Sequence, residues 1–206
     1  YARKYFANIL LLYSDLILKL TEKVTALGLV IDIICPDHGI IWRRDPGKII
    51  NAYVEWSIQK PKRKALVIYD TMWQSTRKMA ETIVEGLGEE GVETKSMHLR
   101  AFHRSDIITE VIDAGAIIIG SPTINNGLYP TVSDFLTYLK GLRPKNKVAT
   151  AFGSYGWSGE AVKLITKELE EMHLKVIDPG LMVTYVPNSE DLKACFQLGK
   201  KIGRAL

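Results

Sequence analysis

Cysteine is scarce. Only Cys35 and Cys195 occur, far apart, and neither belongs to a zinc or disulfide spacing. A reducing cytoplasm is the expected compartment. No apolar run approaches the roughly 20 residues of a membrane-spanning helix, so no membrane partner is expected. The first residue is Tyr1 rather than Met, and no signal-peptide pattern opens the chain. The sequence therefore reads as a fragment, or as one piece of a cleaved protein. Charge of one sign is not in excess either. Lys and Arg number 27 against 23 Asp and Glu, and the net +4 is spread along the chain, which gives no case for nucleic acid. The basic cluster from Lys60 to Lys64 has no interleaved aromatics and reads as a solvated linker. The P-loop pattern Gly-x-x-x-x-Gly-Lys-Ser/Thr is missing, and the loop after Tyr69 lacks Gly-x-Gly-x-x-Gly, which argues against ATP, GTP and dinucleotides.

What is present centres on Lys64 to Met79. Ala65 to Tyr69 reads as a buried strand running into a polar loop, Asp70 to Thr76. Met79, Ala80, Ile83, Val84 and Leu87 then recur at helical spacing. Such a strand–loop–helix aims backbone N–H groups, with the hydroxyls of Thr71, Ser75 and Thr76, at one spot above a helix N-terminus. That spot suits a phosphate, because the first N–H groups are unpaired and the helix dipole favours an anion. A loop of neutral donors with no basic residue suits the phosphate of a flavin mononucleotide; an ordinary Ser/Thr-capped turn is the plainer alternative.

Strand and helix alternate from Lys64 onward. Strands are expected at Ala65–Tyr69, Glu93–His98, Ala116–Gly120, Lys147–Gly153 and Leu181–Val186. Helices are expected near 75–90, 106–113, 131–139, 159–172 and 189–206. Five strands alternating with five helices predict an α/β fold with an open parallel sheet and helices on both faces. Before it, Asn8 to Leu27 reads as a helix with Ile9, Leu12, Leu16, Leu20 and Leu27 as its apolar positions. Leu29 to Cys35 reads as a strand, Pro36 to Gly39 as a turn, and Lys48 to Ile58 as a helix opened by Pro46. These elements cannot bury both faces of a sheet and look like the tail of a larger domain, joined through a linker at 59–63.

In an open parallel sheet, ligands sit beyond the carboxyl ends of the strands. Three loops are expected there. The first contributes Thr71, Met72, Trp73, Gln74, Ser75 and Thr76. The second, Ser121 to Pro130, contributes Pro122, Thr123, Ile124, Asn125, Asn126 and Gly127; its Asn-Asn-Gly run favours positive φ and offers backbone groups to a planar heterocycle. The third contributes Ser154, Tyr155, Gly156, Trp157 and Gly159, and the faces of Tyr155 and Trp157 suit stacking on such a ring. Gly153, Gly156 and Gly159 are spaced like a glycine fingerprint but lack an acidic partner at the right distance, so they read as turn glycines.

Residues Lys64–Leu206 resemble the flavodoxin family, in which these loops hold FMN. The first loop departs from the common Thr/Ser-x-Thr-Gly-x-Thr form, with Trp73 and Gln74 in place of the second Thr and the Gly. Together with Ser121–Pro130 and Gly153–Ala161, this form resembles the flavodoxin domain of flavodiiron proteins. Pro36-Asp37-His38-Gly39-Ile40-Ile41-Trp42-Arg43 resembles the end of that family's metallo-β-lactamase-like domain, where the matching His is an iron ligand. The resemblance implies residues 1–60 as the end of a diiron domain and 61–206 as a flavodoxin-like FMN domain, with His38 as a metal ligand. The family's other ligands, in a His-x-Glu-x-Asp-His motif and beyond, have no match here, and one imidazole cannot hold two irons.

The resemblance also implies an oxidoreductase that reduces O2 to water or NO to N2O at a diiron site. Its FMN is fed by a rubredoxin, a flavin reductase or a reduced deazaflavin, and a head-to-tail homodimer brings FMN and iron together. No nucleophile–base pair is recognisable in the flavodoxin part, so no catalytic side chain is expected there. The alternative is a flavodoxin-like electron carrier without catalysis of its own.

Overall fold

The computed structural model describes residues 1–206. The chain begins in a continuous helical rod: α1 (Ala2–Tyr5), a π-helical stretch (Phe6–Leu10), a 3-10 turn (Leu11–Tyr13) and α2 (Ser14–Ala26). Helix α3 (Pro46–Ile58) follows a long irregular segment. The alternating part then runs β1 (Lys62–Tyr69), α4 (Ser75–Glu89), β2 (Glu93–His98), α5 (Arg104–Val111) and β3 (Ala114–Gly120). A small hairpin, β4 (Thr123–Ile124) and β5 (Gly127–Leu128), leads to α6 (Pro130–Leu142) and β6 (Val148–Tyr155). Helix α7 (Glu160–Glu171), β7 (Lys175–Val176), β8 (Leu181–Thr184) and α8 (Ser189–Arg204) complete it.

The sheet runs β2-β1-β3-β6-β7, with β8 also beside β6, and all of these pairs are parallel. Strands β7 and β8 share the outer lane: β7 pairs with Val148–Ala149 and β8 with Phe152–Tyr155. The expected fifth strand is thus interrupted, and its first half escaped the sequence reading. The expected five lanes of an open parallel sheet are present, in the order known from doubly wound folds. Register brings the strand ends level. Tyr69 is opposite His98 and Gly120, Gly120 is opposite Phe152, and Tyr155 is opposite Thr184. The loops that follow these strands therefore emerge on one edge.

Two apolar layers sandwich the sheet. One contains Leu66, Ile68, Ile117, Ile119, Ile107 and Phe135; the other contains Val67, Ile118, Met79, Ile83, Cys195 and Ile202. Alternate residues of β1 and β3 point into opposite layers, which is why these strands read as unbroken apolar runs. Burial pushes the Cys195 thiol up to about 12.

The first part of the chain departs from expectation. Leu29–Cys35 is not a strand; its only sheet-like pairing is an antiparallel bridge from Ile34 to Trp42. A β-branched run becomes a strand only where a neighbouring backbone takes its hydrogen bonds, and no other strand of this chain lies beside it. The helix is present, but Ile9, Leu16, Leu20 and Leu27 face solvent while Phe6, Ala7 and Leu11 join the core. A π turn advances the chain by more than an α turn and so rotates the register between the two ends of the rod. The linker is also shorter than expected: Gln59 is fully buried and β1 starts at Lys62. The basic cluster is partly neutralised, with Lys62 and Lys64 both 2.9 Å from Asp113. Arg3 reaches the same carboxylate at 2.8 Å, tying the first helix to the turn before β3.

Candidate functional site

The level strand ends bring the three expected loops together. In the first, Thr71 and Thr76 are buried and Ser75 nearly so, while Met72, Trp73 and Gln74 are exposed. Gln74 stands at the start of α4 with φ +68°, a left-handed conformation that glycine adopts freely and glutamine does not. No side chain caps this helix. Its first N–H groups are left for a ligand or for water, with the positive end of the helix dipole behind them. The Thr71 hydroxyl is buried and has no hydrogen-bond partner. A buried hydroxyl without a partner is a costly arrangement, which a bound acceptor would relieve.

The second loop contains the β4–β5 hairpin. Asn125 (φ +49°) and Asn126 (φ +56°) form its tip and are exposed, with positive φ at both central positions as a type I′ turn requires. Pro122 is buried, and Thr123, Ile124 and Gly127 are half-buried. Thr123 Oγ1 accepts from the Ala161 N–H at 3.3 Å, so this loop rests on the start of α7.

The third loop leaves β6. Ser154 is buried, and its Oγ lies 3.0 Å from Thr76 Oγ1, joining the third loop to the first. One residue earlier, a methyl on Gly153 would sit 2.1 Å from Ser121 O; only glycine allows the second and third loops to approach there. Gly159 is the other turn glycine, at φ +73° where α7 begins. The Tyr155 ring packs close to Gly159, where a methyl would sit 3.2 Å from it. Trp157 is 95% exposed. It stands at the rim of a cavity of about 310 Å³, lined also by Thr123, Asn125, Asn126, Gly156 and Tyr185. Of the two aromatics expected to face a planar ligand, Trp157 lines this cavity; Tyr185, from the loop after β8, stands there in place of Tyr155.

Sequence reading did not single out Tyr185. Its signal is a positive φ of +60° in a loop, which is invisible without coordinates. Nor did it find the group around Asp70, a fully buried carboxylate at the end of β1. Its Oδ1 accepts from the Thr71 N–H (2.6 Å) and from Arg100 Nε (2.9 Å), and lies 3.0 Å from His98 Nε2; its Oδ2 accepts from the Thr131 hydroxyl. Burial alone would raise the Asp70 pKa, but the hydrogen bonds from Thr131, Thr71 and His98, with the Arg100 charge, outweigh it and hold the carboxyl below its ordinary value. An ionised carboxylate only accepts, which assigns the proton facing it to His98 Nε2.

His38 belongs neither to the loop cluster nor to the cavity at Trp157. It is exposed, with its ring 5.4 Å from that of Tyr5, and it borders a separate, larger cavity of about 840 Å³ lined by Tyr1, Trp42, Ile49 and Tyr53. This larger hollow is mostly apolar, and none of the three loops reaches it. No group of three His, Cys, Asp or Glu side chains in the chain is arranged to share a metal ion. The residues present therefore do not fit a diiron site on their own, whereas the unpartnered Thr71 hydroxyl, the uncapped α4 and the cavity beneath Trp157 fit a phosphorylated planar cofactor.

The protein-family model described as Flavodoxin matches residues 67–199. Over 202 residues the chain is 49% identical to the nitric oxide reductase of Moorella thermoacetica, covering 98% of this chain and 51% of that protein. The solved structure of rubredoxin oxygen:oxidoreductase from Desulfovibrio gigas superposes with a TM-score of 0.96 at 42% identity, over 98% of this chain and 51% of that one. The flavodiiron protein of Giardia intestinalis superposes with a TM-score of 0.91 at 33% identity, over 98% and 50%. The chain spans about half the length of the curated relatives it matches.

Proposed function

Since the chain belongs to the flavodoxin family, we propose that it is the FMN-binding, electron-delivering part of a flavodiiron oxidoreductase that reduces O2 to water, NO to N2O, or both. The observation that carries this reading is the convergence of three loops at the carboxyl edge of the sheet, with the buried, unpartnered Thr71 hydroxyl beside an uncapped helix. The cofactor of this domain is FMN, and when bound it supplies the redox chemistry. The chain's own residues place it. The N–H groups of α4 and the hydroxyls of Thr71, Ser75 and Thr76 take the phosphate. The Asn125–Asn126 tip and Ser154–Gly159 take the ring, with Trp157 and Tyr185 as its apolar walls and water-excluding faces.

Residues 1–60 are read as the end of the metallo-β-lactamase-like diiron domain and 61–206 as the FMN domain. His38 is one iron ligand of a set that this chain does not complete. Over half of the exposed large apolar side chains, among them Leu16, Leu20, Val30 and Ile40, precede Gln59, a surface suited to burial against further protein. A head-to-tail homodimer, with a rubredoxin, a flavin reductase or a reduced deazaflavin as donor, completes the reading. No helix is long and apolar enough to cross a membrane, and two unpaired cysteines accord with a cytoplasmic setting.

The lone His38 favours a second reading, an electron carrier. Iron and flavin analysis of the purified native protein, with O2 and NO consumption on the same sample, separates the two. About two irons per flavin with turnover of either gas supports the oxidoreductase. Flavin without iron or turnover leaves the carrier.

A further inference from the structure

The end of β1 is held by an ion pair between buried Asp70 and half-exposed Arg100, whose positions are distant in the chain. Asp70 accepts from four groups, and every one of them donates. Arg100, whose side chain is 49% exposed, gives Nε to Asp70 and Nη2 to the carbonyl of Thr71. Thr71 is thus gripped at both ends of its backbone, its N–H by Asp70 and its C=O by Arg100. Its side chain is gripped by nothing, because the buried hydroxyl has no partner. Thr131, which bonds the other Asp70 oxygen, lies in the first turn of α6, immediately after the second loop.

We propose that Asp70 is a positioning residue for the phosphate-binding loop, with Arg100 as its partner in a two-sided clamp that fixes Thr71 and leaves its hydroxyl for the phosphate. Through Thr131, the same carboxylate ties the phosphate loop to the loop that lines the ring. A carboxylate suits this position because three donors converge on Oδ1 beside the Arg100 charge; a neutral amide would lose that charge pairing, and its N–H groups would face Thr131, whose hydroxyl would have to turn and accept. Arginine suits it as well, since two nitrogens of one rigid fork reach two separate acceptors, whereas a lysine ammonium is a single point charge. This inference rests on the FMN reading above.

FMN and riboflavin differ by the phosphate alone, so their affinity ratio isolates the phosphate loop. The test titrates each flavin into the wild-type chain and into D70N, R100Q and R100K, with the unfolding midpoint of each flavin-free variant recorded alongside. The clamp predicts FMN binding weaker by about tenfold or more in all three, while riboflavin binding moves by about twofold or less. A merely structural role would weaken both flavins equally, and that result overturns the clamp. So does an unchanged ratio, or a full return of the wild-type ratio in R100K, which would show that charge near the phosphate suffices. If D70N does not fold, the half-exposed Arg100 carries the test. A wild-type chain that binds neither flavin refutes the FMN reading itself; one that binds FMN while the variants keep its ratio refutes only the clamp.

Discussion

Thr76 Oγ1 and Ser154 Oγ lie 3.0 Å apart, both residues buried, and form a side-chain link between the first and third loops. One hydroxyl donates to the other, which leaves the second proton of the pair free for a further acceptor. Replacing one strands the other, at a cost of about 1–3 kcal/mol, whereas replacing both with apolar groups of similar shape is close to neutral. The flavin-free proteins T76V and S154A are therefore expected to lose stability in urea unfolding, and the double variant to lose less than the sum of the two. Additive losses would show that the two hydroxyls are not coupled.

Gln74 carries the opposite kind of signature. Its left-handed φ of +68° costs a non-glycine residue about 1–2 kcal/mol, and its side chain is exposed. Q74G is expected to raise stability by about 1 kcal/mol, the relief of strain being partly offset by the greater freedom of glycine when unfolded. Thermal melting of the flavin-free chain checks this, and a lower melting point would contradict it.

Trp157 stands in solvent at the rim of the smaller cavity. W157A is expected to leave flavin-free stability within about 0.5 kcal/mol. It should weaken FMN and riboflavin by the same factor, about tenfold, because the indole acts on the ring and not on the phosphate. Parallel titrations by flavin fluorescence read this directly. Weakening of FMN alone would place Trp157 at the phosphate.

Lys147 is buried at the opposite edge of the sheet, where its Nζ donates to the carbonyls of Ile112 (3.2 Å) and Ala114 (2.9 Å). Burial lowers its pKa to about 7; Asp113 opposes the shift and the neighbouring Lys64 adds to it. Between that value and the ordinary one of 10.5, the unfolded chain holds a proton that the folded chain has released. Stability from this group therefore rises with pH across the window, by about 1.4 kcal/mol per unit at most. Urea midpoints at pH 7 and pH 9 should show the rise in the wild type and its loss in K147M. A slope unchanged in K147M would assign the proton to another group.

Much of this architecture was legible in sequence because β1, β3 and β6 are buried on both faces and read as apolar runs, and because the loops between them are rich in hydroxyls, Asn and Gly. The Asp70 group was not legible. Its partners His98, Arg100 and Thr131 lie 28, 30 and 61 residues away, and only strand order brings them together. The first 60 residues misled for a different reason. Periodicity in Ile9, Leu16 and Leu20 predicts a buried face only if a partner surface lies against it, and the π turn at Phe6–Leu10 hands burial to Phe6, Ala7 and Leu11 instead.

The three loops are expected to form one FMN site. Equilibrium titration of the flavin-free chain with FMN, followed by flavin fluorescence and checked by gel filtration, tests it most directly. The account predicts saturable binding of one FMN per chain, competed by riboflavin and weakened by substitution of Thr71. Absence of binding under conditions where the chain is folded, or binding that a Thr71→Val change leaves untouched, would contradict it.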